Sequence, residues 1–222
     1  MAELNAAYIE RMEDVLAVYE KPYNAREPVL CQDEKPVSLH AEVRAPRPGG
    51  PGKIAKRDNE YERCGTANVF CAVEPQAGRH FTQPTPNRCA REYAVFLGDL
   101  IRSYPRARTI HLVMDNLNIH CRKSLTDYYG KRKGTRLWNR LTVHYTPKHG
   151  SWLNQAEIEI SLFARQCLGK RRIPDLPCLQ REALAWNERI NQAGTKIGWK
   201  FTRRKAREKF GYKKGDFKRS ET

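Results

Sequence analysis

The sequence has no apolar run long enough to cross a bilayer, and its amino terminus lacks the apolar core of a secretory signal. It also lacks the cysteine patterns of a zinc site or a disulfide framework, because its seven cysteines are odd in number and include no C-x-x-C pair. Several of them lie in apolar runs such as residues 69–73. These absences predict reduced, mostly buried thiols in a soluble, cytoplasmic protein that has no membrane partner.

Acidic residues are scarce beside basic ones: the chain has 25 Asp and Glu against 41 Lys and Arg, for a net charge of +16. Self-repulsion at that charge opposes compaction, so an excess of cations usually meets a polyanion. Nucleic acid is the predicted partner, and a solvated basic surface or a ribosome-associated protein without chemistry is the alternative. A hydrophobic fraction of 40% in 222 residues predicts one globular domain.

Apolar, proline and glycine positions predict alternating helices and strands without an internal repeat. Apolar runs predict strands over residues 29–33, 67–74, 79–82, 109–115 and 141–145. Helical spacing predicts helices over residues 3–20, 89–104, 121–130, 152–168 and 177–192, and Ser151 is the predicted cap of the fourth. Basic exposed segments predict loops over residues 44–60 and 131–134 and a tail from residue 200. Together these elements predict an α/β fold, a mixed sheet flanked by helices.

Two of the predicted strands deliver a carboxylate at their carboxyl ends, Asp33 and Asp115. In a sheet covered by helices those ends form the crevice where ligands bind. A carboxylate there is costly to bury unless a positive charge compensates it. Mg²⁺ prefers such oxygen ligands, and two Asp with one Glu can hold two metal ions for an in-line displacement at phosphorus.

The third carboxylate is expected on the helix predicted over residues 152–168, which offers Glu157 and Glu159. The apolar stripe of that helix places Glu157 at its edge, where it could face the end of the sheet, and Glu159 on the opposite flank. Periodicity favours Glu157 but leaves Glu159 open.

Residues 33–36, 113–120 and 144–159 resemble the three signature blocks of bacterial insertion-sequence transposases of the mariner superfamily. The resemblance covers about residues 10–212, nearly the whole chain. It implies a ribonuclease H-like catalytic domain whose metal-binding and catalytic triad is Asp33, Asp115 and Glu157.

The same resemblance implies two Mg²⁺ or Mn²⁺ ions per active site. It also implies cut-and-paste cleavage and strand transfer that join transposon ends to target DNA at a TA dinucleotide. Because the family cuts two ends in a paired assembly, a homodimer on DNA is expected. The expected location is the prokaryotic cytoplasm, in association with the nucleoid.

The sequence departs from the family pattern in two places. The stretch between Asp115 and Glu157 is longer than usual, and basic residues 131–140 account for the excess. Family members also carry an amino-terminal helix-turn-helix region, whereas only one helix is predicted before Asp33. We therefore expect a catalytic module, a truncated element or one product of a split reading frame. The expected organisation is an amphipathic linker helix over residues 1–25, a catalytic domain over 26–195 and a basic tail over 196–222.

Further residues near the blocks are predicted to assist. The predicted DNA contacts are Lys148, His149, Trp152, Lys170, Arg171 and Arg172, which could instead be solvated, and Trp152 could stack on a base or anchor its helix. The predicted supporting residues are Asn116, His120 and Asn154. Two rival functions remain: a ribonuclease H-like nuclease that cleaves without joining, and a catalytically silent DNA-binding remnant or regulator.

Overall fold

A computed structural model describes residues 4–213 of the chain. Its strands are β1 (Val29–Glu42), β2 (Tyr61–Glu74), β3 (Arg79–Thr85), β4 (Ile110–Met114) and β5 (Leu141–Tyr145). Its α-helices are α1 (Ala6–Tyr19), α2 (Ala90–Arg102), α3 (Arg122–Tyr129), α4 (Lys131–Trp138), α5 (Ala156–Phe163), α6 (Leu176–Ala193) and α7 (Arg203–Phe210). Residues 1–3 and 214–222, which belong to the predicted first helix and tail, lie outside the described range.

The strands form a mixed sheet in the order β3-β2-β1-β4-β5. The β1, β2 and β3 strands are antiparallel neighbours, whereas β4 runs parallel to both β1 and β5. The parallel register pairs Cys31 with Val113, so Asp33 and Asp115 both lie two residues beyond a matched pair on adjacent strands. The register therefore brings these two acids next to each other on adjacent interior strands, at the carboxyl end of β4.

Side chains alternate between the two faces of the sheet, and helices cover both faces. Leu30, Phe70 and Leu112 pack with α2 and α3, and α4 lies against the same cluster through Leu137 and Trp138. The opposite face packs against α1, α5, α6 and α7. This architecture confirms the predicted α/β fold. No helix within residues 4–213 combines the length and the apolar character that a membrane span requires.

The prediction that the first strand ends at Asp33 is wrong. The β1 strand continues to Glu42 and pairs with β2 from Cys31 to Glu42, with a register shift between Leu39 and His40. The continuous apolar run stops at Asp33, but buried Val37 and Leu39 then alternate with more exposed neighbours. That alternation is the pattern of a strand with one covered face. Asp33 therefore lies inside a strand rather than at its end.

Three other local predictions are corrected. Residues 131–134 belong to helix α4 rather than to a loop. The helix predicted over residues 152–168 is divided into a 3₁₀ turn (Ser151–Leu153), α5 and a π-helical turn (Ala164–Leu168), and Ser151 does not cap it. Instead, Asn154 Oδ1 accepts a hydrogen bond from the Ala156 N–H at 3.1 Å, which satisfies a donor at the start of α5.

The basic segment after residue 200 also contains a helix, α7, which packs on α1. Arg207 donates two hydrogen bonds to the Glu13 carboxylate, and Tyr212 donates a third at 2.8 Å. Arg203 pairs with Glu20 at 2.7 Å. The cations of α7 are therefore stabilised by acids of the first helix and its carboxyl end, which a pattern read along the tail alone does not reveal.

Helix α4 packs so closely on α3 that Gly134 has no room for a side chain. A Cβ atom there would lie 2.5 Å from the Leu125 carbonyl oxygen and 2.6 Å from Thr126 Cα, both backbone atoms. We expect Gly134→Ala to lower the free energy of unfolding by about 1–3 kcal/mol, because the clash outweighs the helix preference of alanine. Urea denaturation measures the change. Gly198→Ala is the control, since a Cβ at Gly198 would meet no atom within 4 Å. Equal stability of the two variants would contradict the packing argument.

Candidate active site

The acids Asp33, Asp115 and Glu157 share one electrostatic site. Asp33 lies on the α5 side of β1, Asp115 directly follows β4, and Glu157 is exposed in the first turn of α5. Burial raises the pKa of Asp33 to about 7, and the charges of Glu34, Glu157 and Asp115 add to the rise. The hydrogen bond that Asp33 accepts from the Glu34 N–H opposes it. Two of the three acids that the sequence singled out, Asp115 and Glu157, therefore lie near enough to the third, Asp33, to raise its pKa.

Glu159, the other acid of α5, points into the core. Its carboxylate is buried and lies 2.7 Å from His80 Nδ1, while His80 Nε2 lies 2.9 Å from the Thr195 carbonyl oxygen. Burial lowers the pKa of His80, but the hydrogen bond and charge of Glu159 outweigh it, so the pKa is raised. Two residues along a helix turn a side chain through about 200°, which is why Glu157 and Glu159 face opposite ways.

The buried side chain of His120 fixes the position of Asp115. Its Nδ1 lies 2.6 Å from Asp115 Oδ1, its Nε2 lies 3.3 Å from Glu34 Oε2, and its ring packs on Tyr93. Burial lowers the pKa of His120, but the two carboxylates outweigh it and raise the pKa to about 9. The hydrogen bond from His120 in turn lowers the pKa of Asp115. At neutral pH, Asp115 is therefore ionised while Asp33 is only partly so.

Glu34 is a site residue that the sequence reasoning missed. It follows Asp33 on β1, so its side chain lies on the α2 face of the sheet, where it is 3% exposed. It contacts His120, Arg88 at 3.5 Å and Gln32 Nε2 at 3.4 Å. The sequence did indicate this position, because side chains alternate between the two covered faces of the strand. An acid next to Asp33 must therefore be buried on the face opposite to Asp33.

Asn154 ties the start of α5 to β1. Its side chain is buried and its Nδ2 donates to the Gln32 carbonyl oxygen at 2.8 Å and to Asp33 Oδ2 at 3.3 Å. Because its Oδ1 also caps α5, this one side chain fixes the helix against Asp33. Asn116, the third predicted supporting residue, is exposed in the loop after Asp115.

The residues predicted to contact DNA fall into two groups. Lys148 and His149 are exposed in the turn after β5, and His149 has a positive φ of 62°. Trp152 is 42% exposed, but its Nε1 donates to the Tyr8 hydroxyl and its ring packs on Phe201. Trp152 thus anchors its turn to the α1–α7 side, and base stacking stays a prediction.

Lys170, Arg171 and Arg172 form the second group. The Arg172 guanidinium bonds to Glu42 and to backbone carbonyls of residues 58–60, and Arg171 pairs with Glu182 at 2.6 Å. Both guanidinium groups therefore have partners within the chain. Lys170 is exposed, and its ammonium has no carboxylate partner within residues 4–213.

The acid cluster suits a hard divalent cation in the chemistry of its donors. Carboxylate oxygens are the ligands that Mg²⁺ and Mn²⁺ prefer. Like charges raise the pKa of Asp33, so a cation among them would relieve that repulsion. Within residues 4–213, no three Asp, Glu, His or Cys side chains are already drawn together at metal-ligand spacing. The carboxylates fit the ion as donors.

The comparison with solved structures shows the fold. The chain resembles the structure described as "Crystal structure of the Mos1 mariner paired end complex with Mn" with a TM-score of 0.54 and 16% identity, over 87% of this chain and 60% of that one. For the "Crystal structure of the Mos1 Strand Transfer Complex" the TM-score is 0.51 and the identity 16%, over 89% and 64%. This likeness confirms the ribonuclease H-like fold. The chain spans about three fifths of the length of those proteins.

Family membership follows from the sequence comparison. No protein with a curated description matches the chain. The family described as DDE superfamily endonuclease matches residues 28–180, a range that includes all three acids. It covers more than half of the chain, from the start of β1 into α6, so the chain belongs to the DDE superfamily of endonucleases.

Proposed function

We propose that this chain is the catalytic core of a DNA transposase that cleaves DNA at transposon ends and joins them to target DNA at a TA dinucleotide. The observation that carries the proposal is that Asp115 and Glu157 act electrostatically on Asp33 in a chain of the DDE superfamily. The fold shared with the Mos1 paired-end and strand-transfer complexes supports the same conclusion.

The three acids would hold two divalent metal ions, Mg²⁺ or Mn²⁺. When bound, such ions activate the attacking water or 3′-hydroxyl and stabilise the leaving oxygen. The Mos1 paired-end complex was solved with Mn, which supports this choice of ion. Around the ions, His120 orients Asp115 and keeps it ionised, while Asn154 orients Asp33.

The DNA would reach the acids across exposed cations. Lys148 and His149, in the turn after β5, would meet phosphates near the acids, and Lys170 would meet them farther away, beside the Glu42 end of β1. These side chains have no carboxylate partner within residues 4–213. We propose that two copies act together on DNA in the prokaryotic nucleoid, which would let each copy cut one transposon end.

A nuclease that cleaves without joining is the second candidate, because endonuclease is the activity in the description of the matched family. A strand-transfer assay with a pre-cut 3′-hydroxyl end distinguishes the two functions. Joined product establishes the transposase, and hydrolysis without joined product establishes the nuclease.

Removal of the Asp115 carboxylate tests the metal-dependent chemistry. We expect Asp115→Asn to reduce Mg²⁺-dependent nicking by at least about a hundredfold, because one ligand and its charge are lost. The fold should be retained, since the Asp115 side chain is 46% exposed and asparagine is nearly isosteric with it. Nicking of a supercoiled plasmid and circular dichroism measure the two effects. Asp99→Asn, at an exposed acid of α2, is the control. Undiminished nicking by Asp115→Asn would refute the proposed function.

The two acids of α5 should give opposite results when each is replaced by glutamine. Glu157→Gln should abolish nicking and leave the melting temperature unchanged, because the side chain is exposed. Glu159→Gln should lower the free energy of unfolding by about 1–3 kcal/mol, because a neutral amide replaces the carboxylate that hydrogen-bonds to His80 in the core. Assays well below the melting temperature should find that Glu159→Gln still nicks DNA. The reverse pattern would show that Glu159 is the ligand.

The raised pKa of Asp33 makes metal binding depend on pH near neutrality. An acid with a pKa of about 7 is protonated below that pH, and a metal ion binds only the ionised form. We expect the affinity for Mn²⁺, measured by titration calorimetry, to fall as the pH drops from 8 to 6, with release of a proton on binding. Asp33→Asn should bind more weakly and without this proton release. An affinity that is independent of pH would contradict the assignment.

A further inference from the structure

The two helices between β4 and β5 carry a dense positive surface that the proposed chemistry does not use. Its exposed cations, called here the α3–α4 basic face, are Arg122, Lys123, Lys131, Arg132, Lys133 and Arg136. Asp127 is the single acid between residues 116 and 156, and it already pairs with Lys123. The face therefore has almost no negative charge of its own.

Three cations of α4 lack the carboxylate partners that hold the basic side chains of α7 and of residues 171 and 172. In α7, Arg203, Arg204 and Arg207 each pair with a Glu, and Arg171 and Arg172 are paired as well. By contrast, the α4 side chains Lys131, Arg132 and Arg136 have no carboxylate within ion-pair distance in the described part of the chain, residues 4–213. Their charge is left available to an external anion.

The placement of these charges opposes helix formation. Lys131, Arg132 and Lys133 occupy the first turn of α4, where the helix dipole is positive, and that turn has no acid and no side-chain cap. Arg132 and Arg136 are also like charges at i and i+4, which repel. The helix is held instead by the close contact of Gly134 with α3 and by Leu137 and Trp138 against the core. A bound polyanion would offset both the repulsion between these cations and their unfavourable interaction with the helix dipole.

We propose that the α3–α4 basic face binds the phosphate backbone of duplex DNA and so extends the DNA-binding surface away from the acids. This inference rests on the proposed function, since the loop that follows Asp115 leads directly into α3. Duplex DNA carries one charge per 1.7 Å of its axis, and α4 is about 12 Å long, so a duplex segment of matching length offers several phosphates to these cations.

The chemistry of the face favours DNA over an acidic protein. Protein interfaces depend on clusters of buried aromatic and apolar anchors. The only large apolar side chain exposed on α3 and α4 is Tyr128, at 43%. A surface of cations with one aromatic side chain suits a uniform polyanion that is bound through its charges.

A charge-matched pair of triple variants tests the inference. One variant combines Lys131→Gln, Arg132→Gln and Arg136→Gln. The control combines Arg181→Gln, Arg189→Gln and Lys196→Gln, which are exposed cations on and after α6 that also lack carboxylate partners within residues 4–213. Each variant lowers the net charge by the same amount. Fluorescence anisotropy with a mixed-sequence DNA duplex in EDTA, over a range of salt concentrations, measures Kd.

We expect the α4 variant to bind duplex at least about tenfold more weakly at moderate salt, and its slope of log K against log salt to fall by about 2–3. The control variant should change Kd by less than about twofold. The melting temperature of the α4 variant should not fall, because repulsion within α4 is removed. Equal losses in both variants, or no loss in either, would overturn the inference.

The same experiment separates this inference from the proposed function, because binding is measured without metal or cleavage. If the chain binds DNA through α4 but never nicks it, the proposed transposase function is refuted and the proposed DNA-binding role of the α3–α4 basic face stands. If the chain nicks DNA but the α4 variant binds DNA like the wild type, the proposed function stands and the DNA-binding role of the face is refuted. In that case the face would serve another polyanion, such as RNA or an acidic protein.

Discussion

The parallel register of β1 and β4 is the constraint on which the site depends. It places Asp33 and Asp115 side by side on adjacent strands, at the carboxyl end of β4, where the two carboxylates repel each other. The surrounding residues offset this repulsion for Asp115 but not for Asp33. His120 stabilises the ionised form of Asp115, whereas burial leaves Asp33 with a pKa of about 7. A site that holds excess negative charge in this way is prepared to bind cations.

The third acid depends on contacts that are distant in sequence. Glu157 is on the exposed side of α5, near enough to raise the pKa of Asp33, because Asn154 fixes the start of α5 to β1 and Glu159 is bound to His80 inside the core. His80 is in turn held by Asn191 and Thr195, which lie beyond the region of the acids. The carboxyl-terminal part of the chain therefore contributes to the orientation of a helix that carries a site residue.

The positive charge of the chain is divided into paired and unpaired cations. Arg203 and Arg207 pair with acids at α1 and its carboxyl end and so hold α7 against the first helix. Arg171 pairs with Glu182 of α6, and Arg172 pairs with Glu42 at the end of β1. By contrast, Lys131, Arg132 and Arg136 of α4 form no ion pair within residues 4–213, and Lys133 packs only on the Tyr129 ring. Net charge alone does not distinguish these roles, because a paired arginine stabilises the fold while an unpaired one attracts phosphate.

The sequence by itself determined the α/β architecture, the buried strand β4, the amphipathic helices α2 and α6, and the two Asp residues, because each of these follows from local periodicity. It also carried the block that singles out Glu157. It did not determine the length of β1 or the helix at residues 131–138, whose strand pairing and close packing come from residues elsewhere in the chain. The orientation of Glu157 against Glu159, the burial of Glu34 and the pairing of Arg172 were likewise decided by tertiary structure. Each of these depends on a contact such as Glu159 with His80 or Arg172 with Glu42, between residues far apart in sequence, and local patterns do not encode such distances.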